Sequence, residues 1–176
     1  MAFALPGDII SNFSIDEGMN IADFGAGSGI YSIMAGRLVK DSGRVYAIDV
    51  NKDMLLKLKT DAAKQKIFNI EIVWGNVEVL GGTKLASKIV DRVIISNILF
   101  QAEDKDGVVK EAARLLKPNG LALVVDWSGS YGGLGPKPDA VVSRDIALKI
   151  FLDNGFALVR DIPAGDYHFG FIVRRL

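Results

Sequence analysis

Residues 21–32 read IADFGAGSGIYS, and this stretch decides the fold of the chain. A short apolar run leads into glycines at positions 25, 27 and 29, and a run with helical spacing begins at residue 30. Glycines at such a junction let the backbone turn sharply and approach a ligand closely, while the first N–H groups of the helix remain unpaired. The stretch therefore predicts a strand, a ligand-binding turn and a helix.

Four more apolar, β-branched runs follow this first strand. Their interiors are apolar at nearly every position instead of every second one, which is typical of parallel strands buried on both faces. The five predicted strands cover residues 19–25, 44–50, 70–75, 90–97 and 120–127.

Amphipathic runs alternate with these strands and predict helices over residues 30–40, 52–66, 107–117 and 143–154. Pro118-Asn119-Gly120 is expected to end the third helix, and Ser143 to cap the fourth. Residues 77–89 are broken by glycine and only weakly helical. The alternation favours an α/β fold, a doubly wound three-layer sandwich with right-handed crossovers.

The C-terminal end departs from this alternation. Residues 156–162 and 167–175 are both strand-like, and only four residues separate them. A connection that short permits a hairpin but not a parallel crossover. We therefore expect a seven-stranded, mostly parallel sheet in which strand 7 is antiparallel.

Composition limits the chemistry of the chain. It has 176 residues, 49% of them hydrophobic, and we expect residues 1–176 to form a single Rossmann-like domain without a separate lid or substrate domain. There is no cysteine and only one histidine, which excludes thiolate zinc sites and a cysteine nucleophile and argues against any metal site.

Charge and hydropathy indicate the binding partners and the cellular compartment of the protein. Lys plus Arg and Asp plus Glu each number 21, so the basic excess of a dedicated nucleic-acid binder is missing. No apolar run reaches the roughly 18 residues that cross a bilayer. The first residues, MAFALPGDII, lack the basic leader of a signal peptide. We therefore expect a soluble, cytoplasmic protein.

Three interpretations of the glycine turn compete. A purely structural turn needs one or two glycines, not three alternating ones. A phosphate-binding P-loop needs Lys and Ser or Thr after its last glycine, where this chain has Ile30 and Tyr31. A dinucleotide fingerprint needs G-x-G-x-x-G, whereas the glycines here fall as G-x-G-x-G.

Asp49 ends the second predicted strand. A carboxylate at this position can accept both hydroxyls of a ribose that lies across the strand tips. Asp49 therefore favours an adenosine-bearing ligand, although it does not separate NAD from other adenosines. The alternative is a solvated aspartate at a strand end.

These segments resemble, in order and over nearly the whole chain, the class I S-adenosylmethionine-dependent methyltransferases. IADFGAGSG is similar to the first motif of that family, D-x-G-x-G-x-G, and VYAIDVN to the second-strand motif that ends in a ribose-binding acid. VWGNVEVL, DRVIISNILFQ, LLKPNGLALVVDW and GDYHFGFIVRR resemble its later strand segments. The chain is most similar to the small-molecule group that includes enzymes of ubiquinone and menaquinone biosynthesis.

The resemblance implies the sheet order 3-2-1-4-5-7-6, S-adenosylmethionine as the cofactor, and a role for several residues. Asp23 is expected near the methionine amino group, Asp49 at the ribose hydroxyls and Val50 beside the adenine. The other implied cofactor contacts are Gly25, Ala26, Gly27 and Gly29 in the turn, Asn76 and Val77 at the adenine, and Ser96 and Asn97 at the tip of strand four.

Two positions depart from the family pattern. The adenine-contacting position often holds Asp and a small residue, whereas this chain has Asn76-Val77; an asparagine can both donate and accept. Strand four ends in Ser-Asn-Ile-Leu instead of the Asn/Asp-Pro-Pro-Tyr/Trp of amino-methylating nucleic-acid enzymes, which argues against a base amine as acceptor. The lack of cysteine removes cytosine-carbon methylation and thiol-dependent arsenite methylation.

The residues that bind the methyl acceptor are predicted only from their position in the fold. Ligands of such sheets bind outside the carboxyl ends of the strands. The end of strand five, the loop 128–138 and the C-terminal hairpin all reach that side. The candidates for acceptor binding are Asp126, Trp127, Tyr131, Asp166 and Tyr167, with His168 as candidate catalytic residue.

Three of these candidates also have a structural interpretation. Trp127 and Tyr131 either stack on a planar acceptor or cap the edge of the core. His168, whose ordinary pKa lies near neutrality, is either a base or a structural strand histidine. The basic residues near 173–175 are more typical of a solvated terminus than of a nucleic-acid patch.

Three functions are compatible with the sequence. The first is an S-adenosylmethionine-dependent methyltransferase that uses in-line transfer to a small molecule, with RNA or protein acceptors as a minority version. The second is a cofactor-binding module without catalysis of its own, such as a subunit that awaits a partner. The third, an NAD-dependent oxidoreductase, is disfavoured by Ile30 and by the terminal hairpin. A homodimer is left open.

Overall fold

Seven strands form one mixed sheet in the computed structural model, which describes residues 5–176. They are β1 (Asn20–Phe24), β2 (Arg44–Asp49), β3 (Ile70–Trp74), β4 (Val90–Ser96), β5 (Leu116–Trp127), β6 (Phe156–Ile162) and β7 (His168–Arg175). Their spatial order is β3-β2-β1-β4-β5-β7-β6, and β7 is antiparallel to both of its neighbours. The predicted order and the antiparallel seventh strand are confirmed.

Helices cover both faces of the sheet. They are α1 (Pro6–Ser11), α2 (Ile30–Val39), α3 (Lys52–Lys64), α4 (Lys105–Leu115) and α5 (Arg144–Asp153). Alternate residues of β1 divide between the faces: Ile21 packs with buried residues of α1 and α2, and Ala22 with those of α4 and α5. The predicted three-layer sandwich is thereby confirmed.

The central strands are buried as their uninterrupted apolar sequences predict. Residues 21–24 of β1 and 93–95 of β4 are all buried, whereas the edge strand β6 exposes residues 158–161. Because β1 to β5 run parallel, their carboxyl ends meet at one rim of the sheet. This rim carries the residues of the candidate site.

The amino-terminal helix α1 is absent from the sequence-based prediction. It has six residues, with Pro6 in its first turn and Ile9 and Ile10 buried. Six residues are too few to show a helical period, so the burial of this segment is set by its tertiary contacts. Residues 1–4, which belong to the segment that lacks a basic leader, lie outside the described residues.

The region around α4 also differs from the prediction. The helix begins at Lys105 instead of 107, because the Asp104 side chain caps it by accepting from the Gly107 N–H. It ends before Leu116, which pairs with Val90 at the start of β5. The predicted break at 118–120 is therefore a bulge within β5, and β5 begins four residues early. Residues 77–89 form turns and no helix.

None of the helices within residues 5–176 has the length and apolar character that crossing a bilayer requires.

Candidate functional site

Two adjoining cavities open at the rim where the parallel strands end. One, of about 390 Å³, lies over the tips of β1, β4 and β5, and is termed here the β5-side cavity. The other, of about 290 Å³, lies over the tips of β1, β2 and β3, and is termed the β3-side cavity. Gly25 and Gly27 line both, so the two cavities meet at the glycine turn.

Backbone hydrogen bonds and one carboxylate hold this turn. The Ala26 N–H donates to the Ile48 carbonyl (2.9 Å), and the Gly27 N–H donates to Oδ2 of Asp49 (2.9 Å). The other oxygen of Asp49, Oδ1, accepts from the Asn51 N–H (2.8 Å). Asp49 is therefore fixed in orientation at the tip of β2, with lone pairs on both oxygens still open to a ligand.

Two glycines of the turn are required by packing as well as by conformation. Gly25 and Gly29 have φ of 63° and 79°. A Cβ on Gly25 would collide with Cδ1 of Ile98, and one on Gly29 would collide with Cγ of Leu58. Gly29 thus serves the junction between turn and helix, because it packs on α3 and lines neither cavity.

The β3-side cavity contains most of the residues predicted for adenosine binding. Its predicted lining residues are Gly25, Gly27, Asp49, Val50, Asn76 and Val77. Five residues that sequence reasoning missed complete the lining: Gly75, Glu78, Ile98, Gln101 and Ala102. They come from loops whose positions are set by tertiary contacts, so no local sequence signal marked them.

Asn76 shapes the loop that lines this cavity. Its Oδ1 accepts from the Glu78 N–H (2.9 Å), and its own N–H donates to the Gly82 carbonyl (3.3 Å). Because the side-chain carbonyl is engaged in this turn, a ligand can use the amide of Asn76 chiefly as a donor.

Asp23 is the buried acid of the β5-side cavity. The residue is 3% exposed, and Oγ of Ser32 donates to its Oδ2 (2.6 Å). Burial raises the pKa of Asp23 from 3.8 to about 7, against a smaller lowering by the hydrogen bonds of Ser32. A carboxylate in such surroundings is stabilised by a nearby cation, so Asp23 favours a positively charged ligand group.

The tip of β4 adds polar groups to the same cavity. Ser96 and Tyr31 both line it, and burial raises the pKa of the Tyr31 phenol, against a smaller lowering by Ser96. Asn97 has a left-handed φ of 57°, and its N–H donates to the Val125 carbonyl (2.9 Å). Its Oδ1 is buried, and no group within residues 5–176 donates to it. Tyr31 was not predicted, because its helical position next to the turn gives no separate signal.

An aromatic pair forms the opposite wall of the β5-side cavity. Trp127 ends β5 and is paired in register with His168 of β7, and their ring centroids lie 4.3 Å apart. Burial lowers the pKa of His168, so its imidazole is neutral at pH 7 and able to accept a proton. Pro6 and Ile9 of α1 and Ile30 of α2 add apolar surface.

Four of the residues predicted for the acceptor line neither cavity: Asp126, Tyr131, Asp166 and Tyr167. The Asp126 carboxylate accepts from the N–H groups of Leu99 (2.8 Å), Phe100 (3.3 Å) and Trp127 (2.8 Å). Burial raises its pKa to about 6, against the lowering by these hydrogen bonds. Asp126 thus braces the loop after β4.

The loop 128–138 reaches the site only indirectly. Gly135 packs so closely on the Trp127 indole that a Cβ would lie 2.5 Å from the ring. The Tyr131 ring packs edge-on against Tyr167 at 4.9 Å, and its Oη lies 2.7 Å from Oγ of Ser128. The loop therefore supports Trp127, while α1 contributes Pro6 and Ile9 to the cavity lining.

The arrangement suits one elongated ligand that crosses the glycine turn. Asp49 offers a carboxylate for hydroxyl groups on one side, and Asp23 offers a buried carboxylate for a cation on the other. No group of three or more Asp, Glu or His side chains suited to a metal ion occurs among residues 5–176.

Comparisons with known proteins agree with this geometry. Residues 15–145 match the family model described as a methyltransferase domain. A solved structure, a SAM dependent methyltransferase from Aquifex aeolicus, superimposes with a TM-score of 0.88 at 26% identity, over 99% of this chain and 90% of that one.

Two curated relatives are similar to parts of this chain. A ubiquinone/menaquinone biosynthesis C-methyltransferase of Haemophilus ducreyi is 31% identical over 68% of this chain and 48% of its own length. An arsenite methyltransferase of Aquipseudomonas alcaligenes is 32% identical over 59% of this chain and 31% of its own length. The chain thus spans about half the length of the first and about a third of the second.

Proposed function

Because the chain belongs to the S-adenosylmethionine-dependent methyltransferase family, we propose that it transfers a methyl group from S-adenosylmethionine to a small-molecule acceptor. The observation that carries the proposal is the pair of cavities joined at Gly25 and Gly27, with Asp49 in one and the buried Asp23 in the other. Their separation by the turn matches a ligand with a ribose at its centre and an amino acid at one end.

The residues of both cavities fit this cofactor. Burial raises the pKa of Asp23, and the ammonium of the methionine moiety would stabilise the ionised carboxylate there. Asp49 would hold the ribose hydroxyls with a carboxylate that two backbone N–H groups already orient. Gly25, where Ile98 leaves no room for a side chain, would let the cofactor approach the backbone closely.

The remaining cofactor contacts of the proposal follow the two cavities. Val50, Asn76 and Val77 would surround the adenine, and Ser96 and Asn97 would face the methionine end. Ala26 and Gly27 would line the centre of the turn. Gly29, which packs on Leu58, would act through the shape of the turn instead of by contact.

Methyl transfer needs little from the protein beyond placement and exclusion of water. When bound, S-adenosylmethionine supplies an electrophilic methyl group on a positively charged sulfur. Pro6, Ile9 and Ile30 would exclude water from the β5-side cavity, and Trp127 would orient the acceptor. Holding the acceptor in line with the methyl group supplies much of the acceleration.

A base is required only when the accepting atom carries a proton. His168 is suited to that role because it lines the β5-side cavity and its imidazole is neutral at pH 7. We therefore assign His168 as the proton acceptor in this proposal, with Trp127 packed against its ring.

The acceptor is proposed to be small and organic. The β5-side cavity of about 390 Å³ must hold the methionine end as well as the acceptor, which limits the acceptor's size. The absence of cysteine argues against the thiol chemistry of arsenite methylation, and the balanced charge argues against nucleic acid. A cytoplasmic location and a homodimer are further parts of the proposal.

Calorimetry on the ligand-stripped protein tests the proposal. S-adenosylhomocysteine and S-adenosylmethionine are expected to bind with a stoichiometry of one, and NADH is expected not to bind. Absence of binding by both sulfur compounds would contradict the proposal. Binding without transfer of radiolabelled methyl groups to a broad panel of small acceptors would favour the cofactor-binding module instead.

A further inference from the structure

A buried carboxylate organises the loop of the β3-side cavity from outside that cavity. Glu111 lies in α4 and its side chain is fully buried. Its Oε2 accepts from the Gly81 N–H (2.7 Å), and its Oε1 accepts from the Thr83 N–H (3.3 Å) and Oγ1 (2.5 Å). Three donors of the loop after β3 therefore converge on one side chain of α4.

Arg114 completes this anchor one helical turn later. Its Nε and Nη2 donate to the two oxygens of Glu111 at 2.8 and 2.7 Å. Its Nη1 donates to the Leu85 carbonyl (2.7 Å) and to Oγ of Ser87 (3.2 Å). The buried charge of Glu111 is thus paired, and the ion pair reaches the far end of the same loop.

The first turn of α4 holds the part of the loop that lines the cavity. Oε2 of Glu78 accepts from the Asp104 N–H (2.7 Å). A Cβ on Gly107 would collide with the Glu78 carbonyl, so the helix and the loop are in direct contact there. The start of α4 therefore holds residues 76–78, and Glu111 and Arg114, further along the helix, hold residues 81–87.

We propose that Glu111 is a positioning residue for cofactor binding, because its carboxylate sets the shape of the loop that surrounds the adenine. The inference rests on the proposed function, since it assigns the β3-side cavity to the adenosine. The loop has two glycines at 81 and 82 and no regular structure, so its conformation depends on acceptors for its N–H groups. Loss of the carboxylate is expected to weaken cofactor affinity without altering the chemistry in the β5-side cavity.

Two substitutions, one at each partner, test the hydrogen bonds between Glu111 and the loop. Glu111→Gln replaces one acceptor oxygen by a donor group, and Thr83→Val removes the hydroxyl donor with little change in shape. Each is expected to weaken binding of S-adenosylhomocysteine roughly tenfold. Thr83→Ser keeps the hydroxyl and is expected to bind as the wild type does.

Val109→Ala is the matched control for a general loss of stability. Val109 is buried in the core on the same helix and makes no hydrogen bond to the loop, so its truncation destabilises α4 while leaving the loop in place. Its affinity for S-adenosylhomocysteine is expected to stay within about twofold of the wild-type value.

The outcomes separate this inference from the proposed function. A wild-type protein that does not bind S-adenosylhomocysteine contradicts the proposed function. A binding wild type whose Thr83→Val variant binds equally well overturns the role of Glu111, even if Glu111→Gln fails to fold. Equal weakening by Val109→Ala also overturns it. In a transfer assay, a raised KM for S-adenosylmethionine with an unchanged kcat supports it, and the reverse pattern contradicts it.

Discussion

The two cavities that meet at the glycine turn are built from different parts of the molecule. The β3-side cavity consists mainly of strand tips and turns whose backbone groups are held by the carboxylates of Asp49 and Glu111. Half of the residues that line the β5-side cavity come from α1, α2, β5 and β7. The β3-side cavity is therefore shaped by hydrogen bonds to backbone groups, whereas the β5-side cavity depends on the packing of side chains from residue 6 to residue 168.

The largest effect is expected at the β3-side cavity. Asp49→Ala removes two proposed hydrogen bonds to the ribose and also the brace on the N–H groups of Gly27 and Asn51. S-adenosylhomocysteine should bind roughly a hundredfold more weakly, as measured by calorimetry. Asp53→Ala, an exposed acid four residues on, is the control and should bind normally. If the Asp49 variant binds S-adenosylhomocysteine with an affinity within about threefold of the wild-type value, Asp49 does not bind the ribose.

A change at the β5-side cavity should separate rate from affinity. His168→Gln is expected to lower the rate of methyl transfer to a proton-bearing acceptor by about a hundredfold, while S-adenosylhomocysteine affinity changes little. The wild-type rate should fall as the pH drops below the lowered pKa of His168, and the variant should lack this dependence. Tyr131→Phe, outside both cavities, is the control. An unchanged rate in the histidine variant would assign His168 a structural role.

Asp23→Asn should weaken cofactor binding while stabilising the free protein. The loss of the charge that pairs with the ammonium group should weaken S-adenosylhomocysteine binding at pH 8 roughly tenfold or more. The folded-state pKa of about 7 lies above the unfolded value of 3.8, so the wild type loses stability as pH rises through 7. Relative to the variant, the free energy of unfolding of the wild type should therefore fall by on the order of 2 kcal/mol between pH 5 and pH 8.

Denaturation at both pH values measures this difference. Because an asparagine side chain does not titrate, the variant's own stability should show no loss from this site. Equal pH dependence in the two proteins would show that Asp23 is already ionised in the folded, free protein.

The smallest effect is expected from substitution of Asp126, which holds a loop that lines both cavities. Asp126→Asn keeps one acceptor oxygen but places an NH2 group against the N–H donors of Leu99, Phe100 and Trp127. The loop after β4 lines both cavities, so affinity for S-adenosylhomocysteine and transfer rate should each fall about threefold. A large loss in rate alone would instead indicate direct contact between Asp126 and the acceptor.

The sequence was sufficient for most of the fold because the fold follows from local patterns. Buried apolar runs, helical spacing and the four-residue connection before β7 predict the sheet and its antiparallel strand. The pattern failed where tertiary contacts override it. Leu116 pairs with Val90 despite the proline and glycine that follow, and α1 is held by burial of Ile9 and Ile10.

The same distinction applies to the candidate site. Residues next to strand tips, such as Asp23 and Asp49, were predicted because their position along the strand fixes where they lie. Tyr31 and Ile98 were not, since their part in the cavities arises only on assembly. One feature of the sequence does indicate a role for Glu111. It is an acidic residue within the apolar face of α4, and a carboxylate buried there requires hydrogen-bond donors or a cation.

A crystal structure with S-adenosylhomocysteine is the most direct test of the account. The adenine is predicted in the β3-side cavity beside residues 76–78, the ribose hydroxyls at Asp49, and the amino group at Asp23. The sulfur should lie near Gly25, with open space beyond it bounded by Trp127 and His168. A ligand bound elsewhere, or one whose amino acid end occupies the β3-side cavity, would contradict the division of the site into these two halves.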